Sequence, residues 1–216
     1  MKYIKLYEQM DSEDNTIKLL DKFDVVDYEI RDTGDGSVDV NDDVDMSFER
    51  LDNIPIRFNY VWGNFSCNDN HLTSLENSPY TATKFDCCNN HLTSLEHGPE
   101  EVTHDFRCSG NKITSLEHSP NHVGGEFDFG FNPIHNFNGF KSTFLSGLYF
   151  PQTPIANICG INSINYDEFP DFKKRFEKAV DGKKVKLPHL KYLRLIYSEQ
   201  VDNLEELVIE NGYEIV

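Results

Sequence analysis

Apolar and polar positions along the middle of the chain repeat as a block. From Phe65 to Phe137 the sequence reads FSCNDNHLTSLENSP, FDCCNNHLTSLEHGP, FRCSGNKITSLEHSP and FDFGFNPIHNF. The opening residues Phe65, Phe85, Phe106 and Phe127 are 20, 21 and 21 residues apart. On an extended chain Phe65 and Cys67 face one way and Ser66 the other. Asn70, Leu72 and Leu75 follow. Each unit therefore predicts a short strand, a bend at the Asn and a return leg on the far side. A unit this short cannot bury its apolar edge alone, so successive units must stack, at roughly 4.8 Å per rung. Stacking places Asn70, Asn90, Asn111 and Asn132 in one column, where they bond backbone groups that the bend leaves unpaired.

The frame extends beyond these copies. One step before Phe65 lie Val44, Met46, Leu51 and Ile54, with Glu49 in the Asn place. One step after Phe127 lie Leu148, Phe150, Ile155 and Ile158, with Thr153 in that place. About six rungs are expected, the outer two atypical, as end caps require. Thr73 with Glu76, Thr93 with Glu96 and Thr114 with Glu117 fit the T-x-x-E capping box, predicting one helical turn on the convex side of each rung. Pro79, Pro99 and Pro120 would end that turn.

Outside the repeat the pattern changes. Residues 2–22 read as a helix interrupted around Asp11–Asn15. VVDYEI and SVDV alternate around Asp32-Thr33-Gly34-Asp35-Gly36, a hairpin signal. Arg31 and Thr33 stand where a calcium loop needs carboxylates, so the segment reads as a turn. The hairpin is expected to cover the open end of the first rung. Near the C-terminus Phe169, Phe172, Phe176 and Val180 share a helical face that ends at Asp181-Gly182. A second helix begins near Pro188, and a third carries Val201, Leu204, Leu207 and Val208. Tyr213–Val216 reads as a short strand. The chain divides into an N-terminal cap of helix and hairpin (1–40), a solenoid (41–160) and a C-terminal helical cap (161–216).

A period of 20–21 and the pattern L-x-L-x-x-N-x-L, with Phe and Cys in the first two apolar places, resemble leucine-rich repeats. The resemblance implies an α/β solenoid, a right-handed coil with a parallel sheet. The consensus F-x-C-x-x-N-x-L-T-S-L-E-x-x-P-x-x-V resembles repeat proteins encoded by large tailed bacteriophages. The acidic lead-in DYEIRDTGDGSVDVNDDVDMSFERLDNIPIRF is similar to theirs, and the likeness covers roughly residues 25–160. It implies a bacterial host cytoplasm and no particular activity. The LTSL…P cadence is also similar to the repeats of secreted bacterial ubiquitin ligases. Those enzymes carry a Cys-x-Asp nucleophile in a long C-terminal domain, whereas here the last cysteine, Cys159, is followed by Gly160-Ile161.

Composition narrows the function. The net charge is −17, with 7 basic and 16 acidic side chains in residues 1–60, 4 and 10 in 61–160, and 9 and 11 in 161–216. All nine late basic residues fall between Lys173 and Arg194. The apolar runs are too short to span a bilayer, and MKYIKLYEQMDSED lacks a signal peptide's apolar stretch, so a cytoplasmic location is expected. Five cysteines suit a reducing compartment. Cys67, Cys87 and Cys108 read as core packing residues, and Cys88 as the outward, most reactive thiol. No zinc spacing, phosphate loop or nucleophile elbow is present, and the paired histidines His71/His91 and His97/His118 follow from repetition. No enzyme activity, metal or cofactor is expected.

The surface is left to carry function. Asp43, Asp45, Asn64, Ser66, Lys84, Asp86, Asp105, Arg107, Glu126, Asp128 and Tyr149 are expected on a concave strand face, varying between rungs while the core letters repeat. The expectation is a non-catalytic protein–protein interaction scaffold, a phage factor that binds or inhibits a host protein through this acidic face. Scarcity of Lys and Arg there argues against direct nucleic-acid binding. The alternatives are a nucleic-acid-binding accessory protein using a basic patch of Lys173, Lys174, Arg175, Lys178, Lys183, Lys184 and Lys186, or a structural component of the virion.

Overall fold

The computed structural model describes residues 12–30, 36–198 and 202–216. At its centre is a β-solenoid of about five turns with two sheets of parallel strands. One sheet, here the Phe sheet, stacks Val44–Asp45, Phe65–Ser66, Phe85–Asp86, Phe106–Arg107, Phe127–Asp128 and Gly147–Tyr149 in parallel. Val44, Phe65, Phe85, Phe106, Phe127 and Leu148 are register partners in turn. The outer rungs at Val44 and Leu148 therefore sit where the repeat frame places them.

Each turn is pinned by its asparagine, and all four are buried. The Asn111 amide donates to the Cys87 carbonyl of the preceding rung and to the Cys108 carbonyl of its own, both at 3.0 Å. Its oxygen accepts from the Leu92 N–H at 3.0 Å. Asn70, Asn90 and Asn132 repeat this scheme. In the last rung Thr153 takes the Asn place, wholly buried, donating to the Phe150 carbonyl and accepting from the Ala156 N–H. That second bond caps helix α2 (Pro154–Cys159), which the periodicity did not predict. In the first rung Glu49 is exposed and pairs with Lys22 of the N-terminal helix.

The return leg differs from the expected helical turn. Thr73–Glu76 and its two counterparts hold no helix and end in a tight turn at the Glu, with the serine inside each motif bonded locally: Ser74, Ser94 and Ser115 hydroxyls accept from the N–H of Glu76, Glu96 and Glu117. Only five residues separate Thr73 from Pro79, too few for an α-helical turn that also buries Leu72 and Leu75, so the local side-chain turn wins. The chain then adds a strand. Phe58–Val61, Thr81–Ala82, Glu101–Val102, His122–Val123 and Thr143–Phe144 form a second parallel sheet, with Ala82, Val102, Val123 and Phe144 turned into the core.

The N-terminal hairpin belongs to that second sheet. Tyr28–Ile30 pairs antiparallel with Val38–Val40, which pairs in parallel with Phe58–Val61. It extends the sheet, while the open end of the core is covered by α1 (Ser12–Lys22), through Leu19, Leu20 and the following Phe23. The helix runs through Asp14 and Asn15 without the expected interruption. Residues 2–11 of the expected helix and the hairpin tip at 31–35, with the question of a calcium loop there, lie outside the described residues.

Inside, the Phe rings form a row. Phe65 and Phe85 stack with centroids 5.2 Å apart, and Phe85 and Phe106 at 5.7 Å. Phe106 and Phe127 switch to edge-on contact at 5.0 Å, where Phe129 replaces the smaller cysteine of the earlier rungs and meets Phe127 edge-on. From there aromatic packing carries the core into the C-terminal cap, as Phe137 touches Phe169 and Phe176 at 5.3 and 5.5 Å. Those two residues belong to α3 (Phe169–Ala179). A hairpin of Val180–Asp181 and Lys184–Val185, α4 (Leu187–Tyr197), α5 (Leu204–Glu210) and Glu214–Ile215, parallel to Lys184–Val185, complete the cap. The Phe sheet ends at Ser163–Asn165, which pairs antiparallel with Gly147–Tyr149.

Candidate interaction surface

The register brings all eleven residues of the expected strand face onto one side of the Phe sheet. Asp45, Ser66, Asp86, Arg107, Asp128 and Tyr149 form one column, because each follows a buried, register-paired residue. Asp43, Asn64, Lys84, Asp105 and Glu126 precede the same buried residues and form a second column.

Several of these side chains serve the fold as well as the surface. Asp86 and Asp128 accept from the N–H of Cys88 and Gly130, two residues on, at 3.0 and 2.8 Å. Asp45 does the same for Ser47, and Asp43 accepts from the Asn64 N–H at 2.7 Å. Asp105 accepts from the Glu126 N–H and holds Lys84 and Arg107 on either side, each at 3.5 Å. Burial pushes the Asp128 carboxyl above the usual carboxylate range, opposed by the Gly130 N–H and by Arg107. Lys84, Arg107, Glu126 and Tyr149 remain exposed. The face is a lattice of mixed sign, less uniformly acidic than the composition alone implies.

Cys88 departs from expectation. It is half-buried, and burial together with the nearby Asp86 carboxylate pushes its thiol well up. Cys67, Cys87, Cys108 and Cys159 are buried, and burial raises each of them. None is poised as a nucleophile.

The basic stretch of the cap is divided. Lys173 pairs with Glu177, and Arg175 with Asp171, which also accepts from the Tyr197 hydroxyl. Arg194 is buried, donating to the Ile158 carbonyl at 2.8 Å at the C-terminal end of α2. Lys174, Lys178, Lys183, Lys184 and Lys186 are exposed on α3 and the hairpin. A shallow groove of about 650 Å³ lies between the last rungs and the cap, lined by Phe131, Pro133, His135, Lys183 and Glu210 among others. Among the described residues no group of three or more His, Cys, Asp or Glu is placed to hold a metal ion. Among the same residues no helix is long and apolar enough to cross a membrane.

An aromatic cluster escaped the sequence reading. Tyr60 and Trp62 stack at 5.8 Å, and Tyr80 on the next rung meets Tyr60 edge-on at 6.0 Å. All three belong to the second sheet or its margin, where a strand was not expected. The apolar, aromatic-rich run FNYVW was the available signal, with Phe58 and Val61 buried and Trp62 exposed.

The architecture defines a β-solenoid with a C-terminal helical region. Comparison with known protein families, curated proteins and solved structures finds no match for the chain.

Proposed function

We propose that this chain is a non-catalytic scaffold that binds another protein through the outer face of the Phe sheet. One observation carries the reading: Phe and Cys repeat inside the rungs, whereas the outward column changes at every step, from Asp45 through Ser66, Asp86, Arg107 and Asp128 to Tyr149. Packing alone has no need of that variety, since an outward position on a solvated strand tolerates one polar residue repeated. We further read the coil, with its asparagine column, as a variant of the leucine-rich repeat in which a second short strand replaces the helical turn. The resemblance to phage repeat proteins suggests a partner encoded by the bacterial host.

This reading is favoured over nucleic-acid binding by the cap, because Arg194 is buried and Lys173 and Arg175 are committed to neighbouring carboxylates. The test uses exposed side chains that hold no part of the fold's main chain. A bacterial lysate passed over the immobilised wild-type chain should yield a stoichiometric partner that the triple variant Arg107→Glu, Glu126→Lys, Tyr149→Ala fails to retain. Equal retention by both chains, or no partner at all, refutes the proposal.

A further inference from the structure

The second sheet carries a surface of its own, opposite in character to the charged lattice of the Phe sheet. Trp62 is 57% exposed and Tyr80 46% exposed, although each lies against Tyr60 in the ring cluster. On the next three rungs the places that follow Trp62 are polar or small, Thr83, Thr103 and Gly124, before Leu145 on the last, and Glu100 and Asn121 follow Tyr80. Aromatic side chains here are a local departure from the repeat, and the core does not require them.

Carboxylates border the rings. The Tyr80 hydroxyl donates to Glu100 at 2.9 Å, and the same Glu100 oxygen accepts from the Asn121 amide at 3.1 Å. This fixes one carboxylate beside the ring. Glu101 is exposed on the strand next to Thr81, with Thr81 and Glu101 in register. The hydrogen bond to Glu100, helped by the negative charge of Glu100 and Glu101, holds the Tyr80 phenol above its ordinary range. Aromatic faces attract cations, and a planar guanidinium both stacks on a ring and bonds a carboxylate through paired N–H groups. A compact ammonium does the first less well and lacks the paired geometry. A chain of net charge −17 also attracts a basic partner from a distance.

We propose that Trp62, Tyr80, Glu100 and Glu101 form a docking site for an arginine-bearing segment of a partner protein. The guanidinium stacks against the ring cluster while the carboxylates accept its N–H groups. The site is on the other sheet from the lattice described above, so either reading can fail alone.

Trp62 is the chain's one tryptophan, which makes it a private reporter. The full chain is titrated with an uncharged-flank peptide, acetyl-Gly-Arg-Gly-Arg-Gly-amide, with its lysine twin and with a neutral hexasaccharide, following Trp62 emission. The expected result is a saturable, salt-weakened change with the arginine peptide, about fivefold tighter than with lysine. Glu101→Gln and Tyr80→Leu, checked for fold by circular dichroism, should each weaken it by a similar factor. Glu101→Gln changes only an exposed group, so loss of folding does not blur the result. No saturable change, an equal response to lysine, a response to the sugar alone or binding unaffected by Glu101→Gln overturns the proposal. Emission that shifts with protein concentration in the absence of peptide also overturns it, because a second copy would then be the occupant.

Discussion

Asn111 shows how much one side chain does in a rung that has few hydrogen bonds of its own. Its amide satisfies two carbonyls on different rungs and one N–H, all out of reach of water. Replacement by alanine leaves the buried Leu92 N–H without a partner and takes one of two amide donors from the Cys87 and Cys108 carbonyls, which keep Asn90 and Asn132; an unpaired buried group costs roughly 1–3 kcal/mol. Asn111→Ala should therefore lower stability by roughly 1–3 kcal/mol in urea denaturation; a loss within error of zero would show that the column is ornamental. A second column lies on the turn after each Cys. Asp69, Asn89 and Gly110 adopt φ of 54°, 54° and 70° there, a region that short polar residues and glycine tolerate. Phe48 and Phe131 hold the same conformation in the rungs of Val44 and Phe127, at φ of 60° and 53°, although bulky side chains disfavour it by about 1–2 kcal/mol.

The elements were unequally legible. The Phe strand was readable because Phe65, Phe85, Phe106 and Phe127 recur with cysteine two residues on, a signal of period two inside one of twenty-one. The second strand was not, because only its inward residue repeats, as Ala82, Val102 and Val123, and its outward residues differ from rung to rung. The T-x-x-E motif misled for a physical reason: Ser74, Ser94 and Ser115 close a tighter turn before a helix can nucleate. The same gap hid the aromatic site, since Trp62 and Tyr80 could both be placed against Tyr60 only once the second sheet was known. Arg194, the last residue of the basic stretch, satisfies the end of α2 from the inner side of α4. Charged groups at a helix C-terminus are favourable, and hydrogen bonds to them are among the stronger kind. Arg194→Met should destabilise the chain by about 2–3 kcal/mol, with the loss read from the midpoint of urea unfolding. A midpoint unchanged from wild type would mean that the guanidinium contributes nothing to the cap.

For the molecule as a whole, charge sets the conditions under which the solenoid is stable. A net charge of −17 on 216 residues repels itself, and stacking brings the rungs' carboxylates closer than they are in the unfolded chain. Added salt screens that repulsion over about 10 Å at 0.1 M. The melting temperature at neutral pH should rise as sodium chloride increases from about 10 mM to about 200 mM. A falling or flat melting curve would mean that local pairs such as Lys84–Asp105 outweigh the overall repulsion. The Phe sheet also has a direction. Six strands run the same way, each offering its neighbour the template for another. The final strand, Ser163–Asn165, runs the other way. A further coil of the same kind would find its hydrogen-bonding pattern reversed at that border, so copies of the molecule cannot join there by simply continuing the winding. One inverted row of three residues gives the ladder a definite length and keeps it from becoming the seed of a fibre.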